Sequence, residues 1–230
     1  MTDDPLRIRF ILVAMGLVVA SNVTGALTHA GPMFALASTL FTLAVMLGWT
    51  AWRRDPVMAR WLLLGLVAGW LETLTDAWLV RYTGSLLYPP DEPMVLDSPL
   101  YMPFAWTLVL SQLGVLGGWL AQRMSLAKAT LLTAALGGSM IPLYEHLAHH
   151  AGYWSYTNTP MVWHAPLYII VSEFLLSLPL VWMYGAALRR PWAYSAWLGV
   201  VAGLWMIPSV IVAWWLVGPC RPVFRALGCS

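Results

Sequence analysis

Seven apolar stretches dominate this sequence, at roughly 8–28, 33–52, 58–80, 99–121, 128–150, 165–188 and 192–217. Each is close to the ~20 residues a helix needs to cross a bilayer. Backbone inside lipid must satisfy its own hydrogen bonds, and a chain of such segments does so as helices. Pro103, Pro142, Pro179 and Pro208 fall inside these segments, which membrane helices tolerate when neighbours satisfy the freed groups. Charge supports the same fold. The 230 residues carry 12 Lys+Arg and 10 Asp+Glu, whereas about a quarter of a soluble domain is charged. A disordered chain, a soluble nucleic-acid binder and an ordinary cytosolic enzyme are excluded on these grounds. No linker interrupts the pattern. The expected fold is an all-α polytopic membrane protein, one seven-transmembrane-helix bundle formed by a single domain over residues 1–230.

Basic residues give an orientation. With seven spans, one side receives Arg7, Arg9, Arg53, Arg54, Arg60, Arg123, Lys128, Arg189 and Arg190; the other receives Arg81, Arg221 and Arg225. The first side is expected to be cytoplasmic, together with the N-terminus, and the bacterial inner membrane is the expected location. The C-terminus is then periplasmic or extracellular. Asp3 and Asp4 argue against the first span being a cleaved signal peptide. Cys220 and Cys229 lie in the exported tail, as a disulfide or as two thiols; both readings stay open.

Ionisable residues inside spans are costly and mark functional positions by default. Glu72 and Asp76 lie one helical turn apart near the end of span 3, Glu145 near the end of span 5, and Glu173 about eight residues into span 6. At ~1.5 Å per residue, all four sit at similar depth in the outer half. The inner halves have almost no such groups. One buried polar pocket is therefore expected, between spans 3–4 and 5–6.

The chain also repeats itself, over about 58–121 and 128–188. Each unit is an outward helix bearing a carboxylate, an aromatic loop and an inward helix that begins Pro-Leu-Tyr. In the first, Glu72 precedes an aromatic stretch ending at Tyr88, then Pro99-Leu100-Tyr101. In the second, Glu145 precedes Tyr153-Trp154-Ser155-Tyr156, then Pro166-Leu167-Tyr168. Repeat interfaces of membrane proteins often hold the site. The expected substrate-binding walls are Tyr88, Tyr101, Trp106, Trp154, Tyr156 and Tyr168, although aromatic residues at this depth also serve as a membrane-interface belt.

The order Glu72, Thr83-Gly84, Tyr88, then a Pro-Leu helix start leading to Trp106 resembles the carotenoid-biosynthesis membrane proteins of the bacterioruberin-type hydratase group. Gly152-Tyr153-Trp154-Ser155-Tyr156 followed by Ala165-Pro166-Leu167 resembles that family's second motif. The resemblance covers residues 68–175. Asp76 and the group His146, His149 and His150 depart from it. Small membrane-bound terpene cyclases are similar in size and in their paired acids. The resemblance implies an enzyme acting on a long isoprenoid.

Three functions fit these residues. The first is acid catalysis, hydration or cyclisation, in which a neutral carboxylic acid protonates an alkene. Apolar burial favours that neutral form, and aromatic faces stabilise the resulting cation. Glu72, Asp76, Glu145 and Glu173 would carry it without a cofactor. The second is a metal-dependent oxidoreductase or hydroxylase with iron, copper or zinc held by Glu72, Asp76, Glu145, His149, His164 and Glu173; histidine and carboxylate ligands suit such metals. The third is a non-catalytic subunit of a membrane complex, in which acids and histidines hold helices together. Expected partners are membrane lipid and a hydrophobic isoprenoid-type substrate, with a homo-oligomer or a membrane-complex partner left open. No phosphate-binding loop or serine triad is present, and no nucleic-acid partner is expected.

Overall fold

A computed structural model describes residues 5–220. Its helices are α1 (Pro5–Thr28), α2 (Pro32–Arg53), α3 (Pro56–Trp78), α4 (Met102–Ala121), α5 (Leu126–Ala151), α6 (Leu167–Ser177), α7 (Leu180–Arg189) and α8 (Trp192–Val217). With α6 and α7 counted as one interrupted span, seven helices among the described residues are long and apolar enough to cross a membrane. The chain is an all-α polytopic bundle. Its short-loop end carries the α2–α3, α4–α5 and α7–α8 connections. Its opposite end carries two longer loops, 84–101 and 152–166, with three two-stranded ladders built from β1 (Leu86–Leu87), β2 (Met94–Val95), β3 (Ser98–Pro99), β4 (Ser155–Tyr156), β5 (Met161–Val162) and β6 (Ala165–Pro166). Of the tail pair Cys220 and Cys229, the second lies outside the described residues.

Local chemistry explains the helix boundaries. Asp55 caps α3, accepting from the backbone N–H groups of Val57 (2.9 Å) and Met58 (3.2 Å), with Pro56 at the first helical position where no N–H is needed. The same carboxylate takes the buried Arg7 guanidinium at 2.6 Å, which ties α1 to the start of α3. Pro179 splits the sixth span. It cannot donate to Leu175, four residues back; the Trp205 indole N–H on α8 donates to that carbonyl instead, at 3.1 Å. The fourth span begins later than its sequence suggests, because Pro99 pairs in β3 and Leu100 and Tyr101 form a turn before Met102.

The repeat has a three-dimensional counterpart. The segment Pro93-Met94-Val95-Leu96-Asp97-Ser98-Pro99-Leu100-Tyr101 matches Pro160-Met161-Val162-Trp163-His164-Ala165-Pro166-Leu167-Tyr168. Met94 pairs with Pro99 as Met161 pairs with Pro166. Leu96 and Trp163 occupy the same left-handed turn position, at φ 56° each, and the N–H groups of Leu100 and Leu167 donate to the carbonyls of Pro93 and Pro160. Helix packing obeys the same correspondence. Gly69 of α3 abuts the Pro103 backbone of α4, and Gly138 of α5 abuts the Ile170 backbone of α6. α1 packs on α5 and α4 as α8 packs on α3 and α6. A pseudo-twofold axis along the bundle follows. It passes through the ladder of β1 and β4, where Leu87 pairs with Ser155, its own counterpart in the other half.

The two ends of the bundle are packed differently. Toward the short loops, Met46, Met58, Trp61, Leu180, Met183 and Leu198 form a buried apolar core. The Trp61 ring sits where Gly114 has no side chain, and a Cβ there would lie 2.1 Å from it. Toward the β-loops, the centre of the bundle is open.

Candidate functional site

That opening is a cavity of about 230 Å³ on the pseudo-twofold axis. Glu72 and Asp76 from α3, Glu145 from α5 and Glu173 from α6 all line it, and each is at most 8% exposed. They form one electrostatically linked group: Glu72 lies within interaction range of Asp76 and Glu173, and Glu145 within range of Asp76 and Glu173. No Lys, Arg or His lines the cavity among the described residues. Four carboxyl groups therefore share an aromatic and apolar chamber without a cation.

Each half contributes one acid and one tyrosine in the same relation. The Tyr88 hydroxyl donates to Asp76 Oδ2 at 2.6 Å, and the Tyr156 hydroxyl to Glu145 Oε1 at 3.4 Å. The sequence separations are 12 and 11. One turn of π-helix, Leu79–Thr83, absorbs the extra residue before the left-handed glycines Gly84 and Gly152 bring the two loops back into step. The counterpart of Glu145 is thus Asp76; the sequence reading had matched it with Glu72. A second donor completes each pair. Ser98 Oγ donates to Asp76 Oδ2 at 2.6 Å, and the Trp154 indole N–H to Glu145 Oε2 at 2.5 Å.

The remaining two acids break the symmetry. Glu72 sits on α3 beside the Trp106 indole, whereas in the second half the acid, Glu173, occupies the position of Trp106. Glu72 Oε2 is buried and has no hydrogen-bond partner.

Of the six aromatic residues named for the walls, Tyr88, Tyr101, Trp106, Trp154 and Tyr156 line the cavity. Tyr168 does not. Its helix starts at once after Pro166, so its ring is carried behind the wall, edge-on to Tyr156 and Trp214, and its hydroxyl bonds Ser85 at 2.8 Å. The equivalent Tyr101, held in the turn before α4, keeps its hydroxyl unpaired at the cavity. Burial and nearby carboxylates push the Tyr88, Tyr101 and Tyr156 phenols well above their ordinary range, and burial pushes Tyr153 up to about 12. These loop phenols stay protonated and act as donors.

The mixed carboxylate–histidine set is not assembled. His149 is four residues from Glu145, or ~6 Å further along α5, beyond the Trp154 that covers Glu145. His149 and His164 instead join His146 and His150 outside the cavity. Sequence reasoning missed Ser98, Tyr153, Asn22 and Gln112 as lining or bonding residues. Asn22 and Gln112 carried a legible signal, being amides in the middle of apolar spans.

Residues 73–217 match a family model described as Domain of unknown function (DUF6989), and the chain belongs to that family. No curated protein matches the chain, and no solved structure does. The match begins at Thr73, one residue after Glu72, and includes the other three acids.

Proposed function

We propose that this protein is an integral membrane enzyme that protonates an alkene of a long isoprenoid, with Glu72 as the acid and hydration or cyclisation as the outcome. The observation that carries this reading is Glu72 Oε2: a buried carboxyl oxygen without a hydrogen-bond partner, on a residue that lines a cavity with three more carboxyl groups and, among the described residues, no Lys, Arg or His. A carboxylic acid is the electrophile such a residue set can offer to a hydrocarbon. Its proton adds to one alkene carbon and a cation forms on the more substituted neighbour. Trp106, Trp154, Tyr88 and Tyr101 present ring faces and edges around it, and an aromatic face stabilises a desolvated cation by about 2 kcal/mol. Water then adds, or a second alkene of the same chain attacks. A proton leaves to Asp76 or Glu145, whose oxygens Tyr88, Ser98, Trp154 and Tyr156 hold in place. Return of that proton to Glu72 closes the cycle.

The carotenoid-hydratase resemblance and the lateral position of Val109, which is 36% exposed and also lines the cavity, support a substrate entering from lipid. The bacterial inner membrane, with the β-loops on the exported side, is the setting this reading assigns. The test is incubation of purified protein in lipid discs with linear isoprenoids and polyenes in heavy water. The expected product carries one carbon-bound deuterium and gains one water or none. Glu72→Gln should abolish the label while substrate still binds. Conversion insensitive to Glu72→Gln would remove Glu72 as the acid, and conversion lost on chelation would favour metal chemistry.

A further inference from the structure

We infer that His146, His150 and His164 form a divalent transition-metal site, best suited to zinc, that clips the second β-loop to the end of α5. One ligand atom from each of these imidazoles lies within 4.8 Å of those of the other two. His146 Nδ1 and His164 Nδ1 are already 2.9 Å apart. Zinc–imidazole bonds of about 2.0–2.1 Å in a tetrahedral site place ligand nitrogens roughly 3.3–3.4 Å from one another, so small side-chain rotations suffice. His146 and His150 are one turn apart on α5, the i, i+4 spacing that puts both on one face. His164 comes from the loop, set by the left-handed Trp163 beside it.

The pseudo-twofold relation supplies a separate argument. In the first half, Arg81 at the end of the outward helix pairs with Asp97 at the loop tip, at 2.5 Å. The matched loop supplies His164 in place of Asp97, and the matched helix end supplies His149 in place of Arg81. Those two rings stack with centroids 3.9 Å apart. An ion pair is therefore replaced by imidazoles, with His146 and His150 added around them and no carboxylate in the group of close potential ligands among the described residues. Beyond the hydrogen bond between His146 and His164, imidazoles lack the charge attraction of Arg81 and Asp97, and protonated ones repel. A divalent cation restores the missing cohesion. Histidine nitrogens select zinc, copper or nickel over calcium and magnesium. Three protein ligands leave a fourth position for water; His149, stacked against His164, orients that ring. The site lies outside the cavity, so its role is to hold the loop that presents Trp154 and Tyr156, and it does not depend on the acid-catalysis reading.

The experiment uses untagged, chelator-treated protein in lipid discs, titrated with zinc and separately with cobalt. The expected result is one ion per chain, with cobalt giving the visible absorption of a tetrahedral site. His146→Gln and His164→Gln should each weaken uptake at least tenfold, and His29→Gln should not. Metal should slow hydrogen exchange of the 152–166 backbone. The double variant His149→Arg/His164→Asp guards against misfolding, because it rebuilds the ion pair of the first half; it should fold, protect the loop without metal and bind no ion. Absence of uptake at micromolar zinc, or uptake undiminished in His146→Gln/His164→Gln, would overturn the proposal.

Discussion

Tyr88 donates to Asp76 from twelve residues away at 2.6 Å, and Tyr156 stands in the same relation to Glu145 at 3.4 Å. Both bonds join a loop to a carboxyl group on a membrane-spanning helix, but the first is far shorter. Removing the Tyr88 hydroxyl forfeits a short bond to Asp76 Oδ2, which still accepts from Ser98, and a buried hydrogen bond is worth about 0.5–1.5 kcal/mol net. Tyr88→Phe is therefore expected to lower the melting temperature clearly, and Tyr156→Phe to lower it less. Thermal melts of the two variants in one detergent check the order; equal shifts would mean the phenol rings matter and the hydroxyls do not.

Helix α3 can approach its neighbours only because its glycines lack side chains. A Cβ on Gly69 would meet the Pro103 carbonyl oxygen at 2.2 Å, whereas one on Gly48 meets nothing within 4 Å. The Pro103 atom is backbone and cannot rotate away. Gly69→Ala is expected to destabilise by about 1–3 kcal/mol, the usual cost of overpacking. Because Pro103 and Trp106 are on the same helix, it should also disturb the site. Gly48→Ala should leave unfolding unchanged or raise its midpoint slightly, since Ala is the better helix former. Steric-trap or denaturant unfolding of the pair measures the contrast.

Glu92 lies in the first β-loop, 8% exposed, with neither carboxyl oxygen bonded. Burial raises it from an ordinary 4.5 to about 7. Between those values the folded chain binds more protons at this group than the unfolded chain does. Stability therefore falls as pH rises through that window. The contribution is fully favourable below about pH 4.5 and lost above about 7. Glu92→Gln should flatten the decline in melting temperature between pH 5 and 8, and its advantage over the parent should grow with pH. A parallel pair of curves would show that Glu92 does not titrate in this range.

The span count was legible because lipid allows few solutions: apolar length alone located seven helices within a few residues. The four-acid layer was legible for a related reason, since an isolated carboxylate in lipid is costly enough to imply company. The pairing of Asp76 with Glu145 was not, because one π-turn shifts the phase between the halves and no residue type signals it. Tyr101 and Tyr168 have the same sequence context, Pro-Leu-Tyr, and opposite fates. What separates them is where the helices begin, α4 at Met102 and α6 at Leu167. The histidines were read with Glu145 because i, i+4 spacing puts residues on one face, but a helix end can bury one member and expose the other.

Orientation is the property on which the chemistry's access to water depends. Arg7, Arg9, Arg53, Arg54, Arg60, Arg123, Lys128, Arg189 and Arg190 gather at the short-loop end, and Arg81 is at the β-loop end. Some of the nine have structural roles: Arg7 is buried against Asp55, and Arg60 donates to the carbonyls of Ala187 and Arg190 at 2.8 Å each. Setting those two aside still leaves Arg9 near the N-terminus and six basic residues flanking short loops, the situation in which the positive-inside bias acts. Reporter fusions after residues 55, 125 and 190 are expected to be cytoplasmic, and fusions after 90 and 158 exported. Single cysteines at exposed Leu96 and Trp163, in a background lacking Cys220 and Cys229, should react with an impermeant maleimide from outside intact cells. A cysteine at exposed Arg54 should react only after lysis. The reverse pattern would place the four acids and the histidine cluster toward the cytoplasm, and water, protons and metal would then reach them from that side.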